Sequence, residues 1–544
     1  MDPAASAGDA QPPQSSTTMP TNSNPVLNHR KAPLALLVGY VGTDFLGLQQ
    51  QPVANRKTKR TGDMLFDTIE GTLLKSIGPV LETTAALFRA ARTDKGVSAV
   101  RNVLTTNVKQ YVIDTLGGLD KARDAVNDHL EERGVTQIRI YAIIPIVSNF
   151  EPRTFCQRRV YQYLIPLFTL HRLADSYDVL EAKLKEACTG DASTERTALF
   201  ETFADTAVAE LNEILKRFKG FHRFYNFTEE SGPKMMKPSD TQCVRCVYRL
   251  GCVKTLQWLP TVDKQEDKDT TTLRPYVLFQ IEGISFLMHM IRKILGASIA
   301  VMRGSRATLI DDALSGEHTL SVPMAPGEGL LLNALFFDSY DTRSSAKFPS
   351  FTDTFAKIES DVNIMKRKVY ERITTTVPPS QNATGANSVS LEMSKFVRLL
   401  RVHNWNIQMN RYPACKPIMK RHDYSDEPTA ADGDGGEDDD DDNVPGKKRV
   451  RDEDEEKPAD EVDAEPTTVP AVDKNTPEYT SLRRKTVYLT QMVDRDDGWV
   501  YDSAEEKRAH WTAVSERKFS PNSAGMRNEE SRAKREAATT ASAS

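Results

Sequence analysis

A carboxylate set between cations stands out first, in Arg89-Ala90-Ala91-Arg92-Thr93-Asp94-Lys95-Gly96-Val97-Ser98-Ala99. Nearby cations hold an acid in its charged form. A positioned, ionised carboxylate is what a covalent nucleophile or general base requires. Gly96 permits a turn that a side chain would forbid, so a strand can deliver Arg92, Thr93 and Asp94 into a loop. On charge pattern alone, a turn with a surface ion pair fits at least as well, because exposed pairs are common and contribute little.

Two further places carry chemistry. Arg292 lies among Met290, Ile291, Ile294 and Leu295. A guanidinium there either snorkels to water or needs a buried anion, for which the distant Asp94 is the natural candidate. Tyr161 and Tyr163 alternate on a strand pattern and so face one side. Cys243-Val244-Arg245-Cys246, with Cys252 nearby, invites a zinc reading. Closed zinc sites need four ligands, and no second pair or His follows at metal spacing, so structural thiols are the expectation. His222, in a basic aromatic stretch, reads as a packed loop residue.

The elements that would position these groups follow from periodicity. Residues 33–40 form a short apolar run of buried-strand length, broken by Gly42-Thr43-Asp44. Residues 63–76 have helical spacing through Leu65, Ile69 and Leu73. Residues 87–91, 135–147, 160–168 and 276–282 read as strands, and 207–218 as an amphipathic helix. Residues 284–303 read as one apolar helix with Ser285, His289 and Arg292 in a single polar stripe. Strands separated by helices, with several antiparallel pairings, predict an α/β (α+β) body.

Composition bounds the rest. At 544 residues the chain is too long for one compact domain. Its 39% hydrophobic content lies below the globular norm of roughly 45–50%. Residues 424–466 hold 19 acidic and five basic side chains, a net of −14; the chain totals −5, so the remainder carries +9. A basic body points to nucleic acid, because neutralising phosphate supplies most non-specific affinity. No run approaches a membrane span, the first 28 residues lack signal or transit character, and six cysteines suit reduced thiols in a cytosolic or nuclear compartment. The expected organisation is a disordered stretch at 1–30, halves at 31–150 and 151–345, a helical basic extension at 346–423, an acidic disordered segment at 424–478, and a polar tail at 479–544 with a weak apolar patch at 487–493.

Three basic stretches are RNA-contact or targeting candidates. Arg56, Lys57, Lys59 and Arg60 form a basic loop suited to tracking phosphate. Residues 395–422 are basic and acid-free, interleaved with Trp405 and Tyr412; a helix packed through Phe396, Leu399 and Leu400 with a solvated basic face fits them equally. Lys447-Lys448-Arg449-Val450-Arg451 suits a nuclear import signal, with cytoplasm or mitochondrion the alternatives.

Ala91-Arg92-Thr93-Asp94-Lys95-Gly96-Val97-Ser98-Ala99 resembles the signature loop of the TruA-type tRNA pseudouridine synthases. Four further segments resemble that family in its own order. Gly39-Tyr40-Val41-Gly42-Thr43-Asp44-Phe45-Leu46-Gly47 is similar to its opening strand and turn, with Leu48 where many members have Trp. Phe150-Glu151-Pro152-Arg153 with Arg159-Val160-Tyr161-Gln162-Tyr163 resembles the tyrosine motif. Gly283-Ile284-Ser285-Phe286-Leu287-Met288-His289-Met290-Ile291-Arg292-Lys293-Ile294-Leu295-Gly296 resembles the arginine motif, and Pro323-Met324-Ala325-Pro326-Gly327-Glu328-Gly329-Leu330 the closing loop. The resemblance spans about residues 33–340.

The resemblance implies a two-domain fold with a central, mainly antiparallel sheet, flanking helices and an active-site cleft between the halves. It implies isomerisation of uridine to pseudouridine in tRNA, or in snRNA, mRNA or rRNA, without cofactor or metal. By position, Asp94 would be the essential carboxylate, Tyr161 the residue stacking on the base, and Arg292 the partner of Asp94. Arg92, Lys95, Arg153 and Arg159 would contact RNA. Ala91 and Asn226-Phe227-Thr228 resemble the eukaryotic multi-site branch. Monomer and homodimer both occur in the family. A competing reading is an RNA-folding or ribosome-assembly factor that uses the same fold.

Overall fold

The computed structural model describes residues 30–50, 68–187, 195–229, 236–265, 268–317, 319–344, 348–375 and 388–402. It also describes 499–501, 503, 505–507 and 509–510. Ten strands build one sheet: β1 (Lys31–Tyr40), β2 (Phe88–Arg89), β3 (Ser98–Lys109), β4 (Ile138–Pro145), β5 (Arg158–Pro166), β6 (Gly220–Arg223), β7 (Val244–Cys252), β8 (Gln257–Gln265), β9 (Lys268–Gly283) and β10 (Leu330–Phe336). The order is β4-β1-β3-β10-β5-β9-β7-β6, with β2 beside β3 and β8 beside β9.

The apolar run 34–40 is buried on both faces, as a strand flanked by neighbours on both sides requires. It pairs antiparallel with β3 and with β4. β10, buried along its whole length, enters between β3 and β5. It runs parallel to β3 and antiparallel to β5, so one sheet passes through both halves of the chain.

Register places the functional segments. Leu332 pairs with Ala99 on one side and Tyr161 on the other, and Tyr161 pairs with Ile281. The loop carrying Asp94 enters β3 at one end of this row. The end of β9, at Gly283, leads into the segment carrying Arg292. Four separate parts of the sequence thus meet on one line across the sheet.

Helices cover both faces. Ile69–Val80 starts at Thr68, whose hydroxyl accepts from the Gly71 N–H at 3.1 Å. It packs on Leu119–Glu132, which lies on β4. Met290–Met302 is buried on almost every side and packs against Arg196–Lys216. Each fully buried Leu or Ile there contributes roughly 1.5–3 kcal/mol of hydrophobic stabilisation. Lys293, buried in the same helix, donates to the carbonyls of Asn226 and Thr228 at 3.2 and 2.8 Å, which offsets its desolvation.

The extension forms helices Phe351–Lys357, Glu359–Thr374 and Val389–Val402. Glu359–Thr374 lies across β1, β3 and β8 through Val362, Met365, Val369 and Ile373. Val389–Val402 packs through Phe396, Val397 and Leu400, while Arg398 pairs with Asp175 at 3.1 Å and Lys395 with Glu392. Its packed face is therefore in place as far as Leu400. Trp405, Tyr412 and the rest of the basic stretch lie outside the described residues.

One expectation is corrected, and one strand lies where the sequence pattern predicts none. The helix expected over 284–303 begins only at Met290, and His289 caps it in the left-handed region at φ 66°. Ser285 therefore lies in the preceding loop and shares no helical stripe with Arg292. β3 was not anticipated at all, because its buried Arg101, Asn102, Thr105 and Thr106 break the apolar pattern.

Candidate active site

The loop bearing Asp94 is fixed from behind by a buried polar network. The Tyr40 hydroxyl shares a hydrogen bond of 2.9 Å with the Thr93 hydroxyl, and the Asn102 amide donates to Tyr40 Oη and to the Ala91 carbonyl. Burial pushes the Tyr40 phenol up to about 12, so it stays neutral and bonded. The Leu48 N–H donates to the Thr93 carbonyl, and the Val97 N–H closes the turn onto the Asp94 carbonyl at 3.1 Å. Gly96 supplies the left-handed residue at φ 79°. Gly327 comes so close that a Cβ would sit 2.7 Å from the Lys95 carbonyl, so only glycine allows the closing loop to approach.

Asp94 is a little over a quarter exposed, and two side chains from the far segment face it. Arg292 Nη1 stands 3.8 Å and His289 Nε2 3.9 Å from its Oδ2. Arg292 is aimed by the closing loop: its Nε donates to the Ala325 carbonyl at 2.7 Å, and the Ala325 N–H donates to the Arg292 carbonyl at 3.1 Å. Burial holds the His289 imidazole below its ordinary value, with Asp94 pulling the other way. The carboxylate thus faces one permanent cation and one ring biased toward neutrality.

Tyr161 rises from β5 on the same side, with its ring edge-on to Phe286 at 5.4 Å between centroids. Burial raises its phenol well above the ordinary value, and Asp94 adds to the shift. Tyr163, on the same face, donates to the Pro326 carbonyl at 2.9 Å and so braces the closing loop. A carboxylate, a neutral phenol and a cation converge at a partly open position. That set can attack an electrophilic carbon, hold a ring and stabilise developing charge.

The expected RNA-contacting residues divide. Arg92, Lys95 and Arg153 are exposed around the loop. Partial burial and the repulsion of Arg89 and Arg153 pull the Arg92 guanidinium below its ordinary value, and Arg153 acts likewise on Arg245. These arginines therefore share one cationic rim. Arg159 does not join it. It is buried and donates to the carbonyls of Ala90, Arg153, Cys156 and Ile284, which makes it an internal brace between β5 and the Asp94 loop. Arg56, Lys57, Lys59 and Arg60 lie outside the described residues.

The thiols of Cys243, Cys246 and Cys252 are buried, and none of the three forms a disulfide. Burial raises that of Cys243 and pushes that of Cys246 up to about 12. Among the described residues no group of three or more His, Cys, Asp or Glu is placed to hold a metal, and no helix is long and apolar enough to cross a membrane.

A family model described as tRNA pseudouridine synthase matches residues 214–338, the stretch that carries β9, the Arg292 helix and β10. The Pseudouridylate synthase 1 homologs of Mus musculus and Homo sapiens are each 26% identical over 387 and 383 residues. They align with 69% of this chain and with 75% and 74% of their own lengths. The tRNA pseudouridine synthase 1 of Yarrowia lipolytica is 25% identical over 415 residues, covering 63% of this chain and 71% of its own. The chain carries a TruA-type pseudouridine synthase domain. As such a synthase it isomerises uridine to pseudouridine, and its mixed, mainly antiparallel sheet with flanking helices is the fold expected of it.

Two parts of the synthase's site carry no signal in the sequence, and a third, His289, is read there as part of a helical stripe when it caps the helix and faces Asp94. Phe286 matters through its edge contact with Tyr161. The Tyr40–Thr93–Asn102 network depends on β1 and β3 being neighbours. The one local signal was His289 in a segment otherwise apolar.

Proposed function

We propose that this synthase converts uridines in tRNA to pseudouridine, with Asp94, Tyr161 and Arg292 as its catalytic residues. The observation that supports this most is the approach of Arg292 to Asp94 from a separate segment, beside Tyr161. In the reaction the N1–C1′ bond breaks, the uracil turns, a C5–C1′ bond forms, the C5 proton leaves to solvent, and N1 takes up a proton in exchange. Asp94 would attack C1′ or hold its developing positive charge. Arg292, fixed by the Ala325 carbonyl, orients the carboxylate from 3.8 Å away. Tyr161, held neutral by burial, offers a stacking face and a phenol near the proton to be removed. The target base must leave its stack, which costs about a few kcal/mol; the Tyr161 ring and the Arg92–Arg153 rim offset part of that.

An RNA-folding or assembly factor would need the rim but not a carboxylate held against an arginine. The test is proton release. tRNA tritiated at uridine C5 should lose tritium in step with pseudouridine formation when the protein is added. RNA bound without tritium release would favour the folding factor. We also assign the protein to the nucleus, on the run Lys447 to Arg451, which lies outside the described residues; a fluorescent fusion that stays in cytoplasm or mitochondria would overturn this.

A further inference from the structure

The sheet face opposite Tyr161 carries an arrangement that the reaction does not use. Side chains alternate along a strand, so Arg158, Val160 and Gln162 point away from the face that bears Tyr161. There Glu282, buried, accepts from Arg158 Nη1 at 2.6 Å and from Arg249 Nε at 2.5 Å, and Arg158 also reaches Asp338 at 3.3 Å. Mutual pairing offsets the cost of taking these charges out of water, and the layer lies under a cover.

Three residues from the far end of the chain provide that cover. The guanidinium of Arg249 lies 4.2 Å from the ring centre of Trp499 and 5.4 Å from that of Tyr501, and it donates to the Tyr501 hydroxyl. Trp499 packs on Val160, Ala334 and Phe336. Between the two rings, Gln280 reads the backbone of Val500 in both directions. Its Nε2 donates to the Val500 carbonyl at 2.8 Å, and its Oε1 accepts from the Val500 N–H at 2.9 Å. Gln280 is itself oriented by Gln162 Nε2 at 2.9 Å, and Gln162 in turn accepts from Tyr370 at 3.3 Å. The receptor groups are thus set by the sheet and the Glu359–Thr374 helix.

We propose that this face is a peptide-docking site for an aromatic–Val–aromatic segment, occupied by Trp499–Tyr501 of the same chain. Cation–π contact, apolar packing and two backbone hydrogen bonds supply the recognition. Docking fastens the far end of residues 403–498, which contain the −14 run at 424–466. The near end is already fastened by the Val389–Val402 helix. Docking therefore sets the distance between the two ends of that stretch.

The test uses full-length protein, with hydrogen exchange of the peptide containing Val500 and small-angle scattering. Both Trp499→Ala/Tyr501→Ala and Gln280→Ala should speed exchange of that peptide by about tenfold or more. The double variant should also increase the radius of gyration, and its turnover should match wild type. Protection in the wild type should survive dilution. Unprotected exchange in the wild type, exchange unchanged in both variants, or an unchanged radius would each overturn the proposal. Protection lost on dilution would assign the docked segment to a second copy instead, and would overturn the same-chain assignment.

Discussion

Arg292 Nη1 lies 3.8 Å from Asp94 Oδ2, one at the start of a buried helix and the other in the loop entering β3. The guanidinium is fixed by a carbonyl on its Nε, not by the carboxylate. Its position is therefore set by the protein before substrate arrives. Such preorganisation is worth more than an equal contact formed during the reaction.

Replacing Arg292 by Lys keeps the charge but loses the planar fork that bonds Ala325 and faces Asp94 together. Turnover should fall by about 10²–10³, the usual effect of removing one fixed charge-stabilising donor. Single-turnover pseudouridine formation under saturating enzyme measures it. Activity within a few-fold of wild type would mean that the pair does not orient the carboxylate.

His289 gives a pH signature. The fold favours the neutral imidazole, so the unfolded chain takes up the proton first as pH falls. This contribution to stability is fully present above the ordinary imidazole range and is lost as pH drops from that range towards the lowered folded value. Urea midpoints across this window should fall less in His289→Asn than in wild type. Identical profiles would show that the ring is not held neutral.

Arg159 and Arg153 should separate cleanly. Arg159→Ala leaves three buried carbonyls and one part-buried carbonyl without this donor and should destabilise by roughly 1–3 kcal/mol or more, read from the urea midpoint. Arg153→Ala should leave that midpoint unchanged and lower the salt dependence of tRNA binding by about one unit of slope. Equal stability losses would place Arg153 in the interior framework.

Deleting 424–466 should leave kcat on tRNA intact, because the acidic run lies outside the residues that form the site. A collapse of turnover would make the run part of the catalytic apparatus.

What could be read in advance followed physical pattern. β1, β4 and β5 were legible because apolar runs and alternation report burial directly. The Asp94 loop was legible because a carboxylate, two cations and a glycine act locally. β3 was hidden because its polar side chains are satisfied across the sheet: Arg101 reaches Glu359 and Asn102 reaches Tyr40. No local pattern carries that information. The start of the Met290 helix was misplaced because the apolar run continues upstream through Ile284, Phe286 and Leu287, while the break depends on a left-handed His289. Arg159 was read as an RNA contact from its place in a motif. Only the folded arrangement of four carbonyls around it shows otherwise.

The central claim rests on Asp94. Wild type and Asp94→Ala should be incubated with unmodified tRNA, with pseudouridine quantified by mass spectrometry and tRNA affinity measured alongside. No pseudouridine should be detectable from Asp94→Ala, with affinity within about tenfold of wild type, a difference of about 1.4 kcal/mol. Pseudouridine formed by the variant at the wild-type yield would contradict it.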